Sequence, residues 1–320
     1  MIYIKCKDGH REFGANTISL ITGDRDIVSQ INARALQCAK LRFATIDDNI
    51  YLFFVVAFIR NLFGKKTSGL LFSPWTAFKK KSIKALLKRL VLKFFKKCKH
   101  ITVICYVPYY LDERYELISE DWIYDLEFWD LMLSDRKSLV PTQPKNSKEE
   151  ATIYFLGAIA FRKGINLLSF LKQSLDKNGW AGRLEIKGAV GDDPQRISNS
   201  LYSLRDCIED KYLSDSEFID FASKGTHLWC CYEPSYNSSS GIFGRALQLG
   251  KVPIIRRGSI IDRICQYENI DCIRLDYQLT IEVSQSFLRL LKEKKSPAAA
   301  NSKFVQKAYF KSFKIIQEKL

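Results

Sequence analysis

The second half of the chain constrains the fold more tightly than any other feature. From Ala151 onward, short apolar runs alternate with stretches of helical period. "ATIYFLGA" ends in glycine and reads as a strand. "KGINLLSFLKQSLDKNG" repeats apolar side chains at Ile165, Leu168, Leu171 and Leu175 and stops at Asn178-Gly179, which predicts a helix. "RLEIKGA" predicts a strand and "DPQRISNSLYSLRDCI" a helix. "LSDSEFIDFASKG" predicts a short helix opened by a Ser214–Glu217 capping box, and "THLWCCY" a strand. "GIFGRALQLG", "KVPIIRR", "SIIDRICQYE" and "DCIRLD" continue the series as helix, strand, helix and strand. Strands and helices that alternate with short connections require a parallel sheet covered on both faces. Such a sheet takes its ligand beyond the carboxyl ends of its strands.

The first half is less regular. "MIYIKCK" opens a sheet, "DGH" follows as a turn, and "ANTISLI" and "DIVSQINARALQCAKL" predict helices. "SGLLFS" and "HITVICYV" predict strands. The apolar run "IYLFFVVAFI", Ile50 to Ile59, is about half the roughly 20 residues a membrane-spanning helix needs and reads as a buried element. Between the halves lies "SLVPTQPKNSKEEA", with two prolines among polar residues, which reads as a linker. The expected organisation is an N-terminal α/β domain over residues 1–140, a linker over 141–150, a second α/β domain over 151–300 and a closing helix over 301–320. That last helix carries its apolar side at Phe304, Val305, Ala308, Tyr309, Phe313 and Ile316.

Composition narrows the function classes. A chain that is 47% apolar and 27% charged folds into a globule. Its nine cysteines show no CxxC pairing and no metal-ligand spacing, so reduced thiols are expected and a metal site is not. "MIYIKCKDGHREFG" lacks the order of a signal peptide, and the expected location is the cytoplasm. A formal charge of +15 calls for an acidic partner: nucleic acid, anionic lipid or a phosphorylated substrate.

Four stretches could carry chemistry. In "FLGAIAFRKGI", a strand ends at Gly157, and Arg162 and Lys163 stand at a helix start. Two cations beside free N–H groups can grip a phosphate, or can be a solvated basic pair. In "EPSYNSSSGIFGRALQLG", Ser238, Ser239, Ser240 and Gly241 offer hydroxyls and unpaired N–H groups at another helix start, as an anion site or as a plain serine cap. In "FKKKSIKALLKRLVLKFFKKCKH", residues 78–100, one helical face is apolar at Ile83, Leu86, Leu87, Leu90, Val91 and Phe94, and lysines crowd the other. That pattern suits an anionic membrane surface, or a core-packed helix with a solvated lysine side. Nucleic acid is not the expected partner, because no recognition motif accompanies the charge. In "DGHREFG", His10 follows the first strand and is the candidate general base, or a surface histidine. "SEDWIYDLEFWD" could line an acceptor site or form a surface helix. No Ser-His-Asp, HExxH or paired-carboxylate constellation stands out.

The stretch from "IYFLGAIAFRKGINLL" through "LEIKGA" to "NSSSGIFGRALQLGKVPII" resembles the donor-binding domain of GT-B glycosyltransferases, close to family 4. Lys163-Gly164 matches that family's first loop, and Gly250-Lys251-Val252-Pro253-Ile254 nearly matches its later Gly-Lys-Pro element. The resemblance implies two Rossmann-like domains with parallel sheets, and a C-terminal helix crossing back to the first. It implies transfer of a sugar from a nucleotide diphosphate to a glycan or lipid-linked acceptor in surface polysaccharide assembly. The transfer would be metal-independent and retaining, with the nucleotide sugar as substrate and no cofactor. The donor diphosphate would lie between Arg162/Lys163 and Ser239-Ser240-Gly241, with Gly157 and Ser238 close by; the lysine helix within residues 78–100 would dock such an enzyme at the inner face of a membrane. The chain departs from the family at its glutamate pair. Arg245 stands in the place of the second, which holds the donor ribose, and an arginine cannot accept those hydrogen bonds. Glu233, in the preceding loop, is the candidate substitute. The departure also leaves room for a non-catalytic relative that only binds sugar nucleotides or glycans.

Overall fold

A computed structural model describes residues 1–5, 9–80, 82–133, 151–191, 194–237, 239–293 and 299–320. The chain divides into two compact units, Met1–Leu126 with Ala308–Leu320, and Glu127–Lys307.

In the first unit, β1 (Ile2–Tyr3) leads into α1 (Gly9–Thr22), β2 (Ile27–Val28), α2 (Ala33–Gln37) and β3 (Lys40–Phe43). Next come α3 (Ile50–Leu62), β4 (Lys66–Leu71), α4 (Ile83–Phe95), β5 (Ile101–Cys105) and β6 (Asp121–Trp122). The strands pair in the order β2-β1-β3-β4-β5-β6, every pair parallel. Phe43, Phe53 and Phe95 meet edge to face in its core, with ring centroids 5.1 and 6.1 Å apart. Arg60 is buried yet satisfied: its guanidinium donates to Thr67 and to the carbonyls of Ala35, Leu36, Cys38 and Lys66 at 2.6–2.9 Å, tying α2 to the sheet.

Three expectations change here. "DIVSQINARALQCAKL" is not one helix but β2, the short α2 capped by Asn32, and the start of β3. The "DGH" turn gives way to helix at Gly9 and His10. "SEDWIYDLEFWD" is not a surface helix: it forms β6 and single 3₁₀ turns, with Ile123, Tyr124, Leu126, Phe128 and Trp129 buried.

In the second unit the alternation read from the sequence is present. It runs β7 (Thr152–Leu156), α5 (Ile165–Lys177), β8 (Arg183–Lys187), α6 (Ser198–Leu204), β9 (Ile208–Glu209), α7 (Asp215–Lys224) and β10 (His227–Cys230). It continues with α8 (Gly241–Gln248), β11 (Val252–Arg256), α9 (Ile260–Tyr267), β12 (Ile273–Leu275) and α10 (Ile281–Glu293). The sheet order is β12-β11-β10-β7-β8-β9, again all parallel. Ser214 and Glu217 close the expected capping box on α7. The final helix α11 (Ala299–Lys319) begins in the second unit and ends in the first.

The contacts divide the chain at Leu126, earlier than the expected 140. The reason is that Glu127–Leu133 packs on α8: Phe128 meets Phe243 at 5.3 Å, and the Leu131 N–H donates to Gln248 at 2.8 Å. The expected linker, 141–150, lies outside the described residues.

Candidate functional site

In the second sheet the chain order reverses between β7 and β10. From β7 it runs outward through β8, while β10 leads to β11 and β12 on the other side. A doubly wound sheet opens its ligand crevice at this switch point, beyond the carboxyl ends of the strands. The two loops there are those the sequence singled out.

After β7 the backbone turns at Gly157 with φ +87°, makes a 3₁₀ turn over Phe161–Lys163, and enters α5 through Gly164 at φ +80°. A side chain at Gly164 would collide with the carbonyl oxygen of Cys231, so only glycine lets the loop lie against the end of β10. The Trp229 indole donates to the Lys163 carbonyl at 3.1 Å, and the Glu233 N–H donates to the Arg162 carbonyl at 3.2 Å. The two loops are thus stitched together by backbone and by a buried tryptophan.

The side chains complete the join. The Lys163 ammonium lies 4.3 Å from the ring centre of Tyr232 and 4.9 Å from that of Tyr236; the Arg162 guanidinium lies 5.5 Å from Tyr236. The Tyr232 hydroxyl shares a 2.5 Å hydrogen bond with Ser240 Oγ. Ser240 is the N-cap of α8, accepting from the Phe243 N–H at 3.3 Å. Burial raises the Tyr232 phenol well above its ordinary range, so it stays neutral. Gly157 comes close to Ile242, in the first turn of α8. Tyr232 and Tyr236 therefore link Arg162 and Lys163 to Ser240 at the start of α8, with Gly241 next in the chain and Ser239 half-buried.

The remaining candidates separate. Ser238 lies outside the described residues. Glu233 is half-buried, and its carboxylate accepts from the N–H and hydroxyl of Ser235 within its own loop. Arg245 is turned to the segment that carries Asp130: it is buried and ion-paired with the fully buried Asp130, which also accepts from Gln248 at 3.0 Å. Burial opposes the charge of Arg245, but Asp130 and Glu127 more than offset this and raise its pKa. His10 lies in the first turn of α1, after β1, which marks the switch point of the first sheet.

Sequence reasoning missed four residues here. Tyr232 and Tyr236 support the cations; their spacing of four in "YEPSY" was the available signal. Asn237 caps α9 from a distance, accepting from the Ile260 N–H at 2.8 Å. Glu127 places its carboxylate against Gly241, so the positive end of α8 already faces an internal anion. No local signal could place it there, since Glu127 is over a hundred positions away in the chain. Among the described residues no cluster of side chains is arranged to hold a metal ion.

No protein-family profile and no curated protein sequence matches the chain. Solved structures match it over nearly its whole length. HepE of Anabaena, solved with UDP, superposes with a TM-score of 0.65 at 8% identity, covering 99% of this chain and 97% of that one. A glycosyltransferase from Rickettsia africae gives 0.60 at 11% identity, covering 100% and 98%. WaaG, a glycosyltransferase involved in lipopolysaccharide biosynthesis, gives 0.52 at 11%, covering 99% and 97%. At these identities the likeness is one of fold. The chain has the GT-B fold, with two Rossmann-like halves, each on a six-stranded parallel sheet.

Proposed function

We propose that this protein is a glycosyltransferase, moving a sugar from a nucleotide-diphosphate donor to a glycan or lipid-linked acceptor in the assembly of a surface polysaccharide. The observation that carries this reading is the convergence of Arg162 and Lys163 with the start of α8 at the switch point of the second sheet. Two cations and the N–H groups of a helix start suit a diphosphate. They suit it best as a leaving group, where the charge that builds up in the transition state is met by groups already in place. In this reading the transfer needs no metal ion, and the departing phosphate takes the acceptor's proton on the face it leaves, so configuration is retained. HepE, of the same fold, was solved with UDP and with UDP-glucose, which makes uridine donors the first to try.

The test is calorimetry with UDP-, GDP- and dTDP-sugars, followed by product analysis. One base is expected to bind at micromolar concentration. Absence of binding by all three would remove it. A second reading, a non-catalytic binder of sugar nucleotides, is favoured by one observation: Arg245 is held by Asp130, so α8 presents no acid to a ribose. Hydrolysis or transfer by the purified protein would eliminate that alternative.

A further inference from the structure

We propose that α3 and α4 together form a docking face for an anionic lipid bilayer. The inference stands on the first unit alone and does not depend on the donor site. The run Ile50–Ile59, expected to be buried, forms α3, and only Phe53, Val56, Ala57 and Arg60 of that helix are buried. Val55, Phe58 and Leu62 are 57%, 45% and 67% exposed. On α4 the buried residues are Ala85, Leu92 and Phe95, while Leu87, Leu90 and Phe94 are each more than half exposed. The apolar side of α4 read from the sequence therefore faces outward. Strands β3, β4 and β5 are consecutive parallel neighbours, and right-handed crossovers put α3 and α4 on one face of the sheet. The helices touch there through Phe54 and Phe95, 5.6 Å apart. Exposed apolar side chains scattered singly need no explanation, but two touching helices that both turn them outward form a contiguous patch.

Charge identifies the occupant. Residues 49–111 contain thirteen Lys and Arg and no Asp or Glu, and so account for 13 of the net +15. Lys79, Lys80, Lys84, Lys93 and Lys97 are exposed around the patch, whereas Lys88 is turned inward to Asp47 and Thr76 at 3.0 and 2.8 Å. An apolar centre with a cationic margin, on helices from a stretch that contains no acid, fits a negatively charged headgroup layer over an acyl layer. Such a helix pair lies in the interface plane rather than crossing it. Among the described residues no helix is long and apolar enough to cross a membrane. Nucleic acid would engage the lysines but gains nothing from the exposed leucines and phenylalanines.

The test is sedimentation of the full chain with vesicles of phosphatidylcholine alone and of phosphatidylcholine mixed with phosphatidylglycerol. The expected result is binding to the mixed vesicles only. Lys84→Gln plus Lys93→Gln plus Lys97→Gln should weaken it on the order of a hundredfold, since each cation near such a surface contributes about a factor of five. Phe58→Ser plus Leu62→Ser on α3, and Leu87→Ser plus Leu90→Ser on α4, should each weaken it by about tenfold or more. These positions are exposed, and an unchanged thermal midpoint and circular dichroism spectrum confirm that each variant is folded. Three results would overturn the proposal: no binding to either vesicle, undiminished binding by the α3 variant, or self-association that both serine variants abolish, which would assign the face to a second copy of the chain.

Discussion

Arg245 shows at the scale of one residue how a substitution can be read correctly as sequence and still be misplaced in space. Its position in α8 was legible, and so was its inability to accept ribose hydroxyls. Its partner was not, because Asp130 is 115 positions away and buried. Arg245→Ala takes the cation away from that buried carboxylate, and should destabilise the protein by about 3–5 kcal/mol in urea unfolding. Arg245→Met with Asp130→Leu should recover most of the loss, whereas equal instability in the double variant would mean that the ion pair is not what holds the segment. Glu120 makes a prediction about pH. Its Oε2 accepts from the Val103 N–H at 2.6 Å, while Oε1 is buried without a partner. Burial raises its pKa from 4.5 to about 7, against the weaker downward pull of that hydrogen bond, Lys96 and Lys319. The folded state therefore holds this proton more tightly than the unfolded one. Its contribution to stability is full below about pH 4.5 and is lost as the pH rises through about 7. Glu120→Gln should accordingly be stabilised over the wild type at pH 8, by no more than about 3 kcal/mol, and nearly match it at pH 4.5. Equal denaturation midpoints at pH 8 would contradict this.

At the scale of elements, legibility follows how local the cause is. The cap of α7, the Gly164 entry to α5 and the alternation from β7 to β12 are written in neighbouring residues, and the sequence showed them. Strand β2 is two residues long and exists because it pairs with β1, so a local pattern could not separate it from the helix that follows. Helix α3 misled for a different reason: ten apolar residues in a row read as buried when periodicity gives no face, yet Tyr51, Val55, Phe58, Ile59 and Leu62 of that helix are exposed. The start of α8 combines both cases. Its serine cap was visible, but the carboxylate of Glu127 against Gly241 arrives from another segment. A diphosphate bound there would meet that negative charge, so Glu127→Gln should bind a nucleotide diphosphate on the order of tenfold more tightly, about 1–2 kcal/mol at that range. Weaker binding would instead show that the carboxylate accepts a donor hydroxyl.

At the scale of the molecule, two parallel six-stranded sheets, the closing helix and the crevice at the second switch point form one consistent account. The sheets were legible from strand spacing, and the two loops at the second switch point stood out for excess cations and excess serines. What tied those loops together was not legible: Trp229 on β10, and Tyr232 and the Cys231 carbonyl that forbids a side chain at Gly164, at the start of the second loop, meet the first loop about seventy positions away from it in the chain. The account therefore depends on Arg162 and Lys163 acting as the cationic side of a diphosphate site rather than as a solvated pair. The most direct measurement is calorimetry of UDP, GDP and dTDP against the wild type and the double variant Arg162→Ala, Lys163→Ala. One nucleotide is expected to bind the wild type and to lose on the order of a hundredfold in affinity or more in the variant, since each charge-assisted contact is worth about 1.5–3 kcal/mol. Binding of equal strength in both proteins would contradict it.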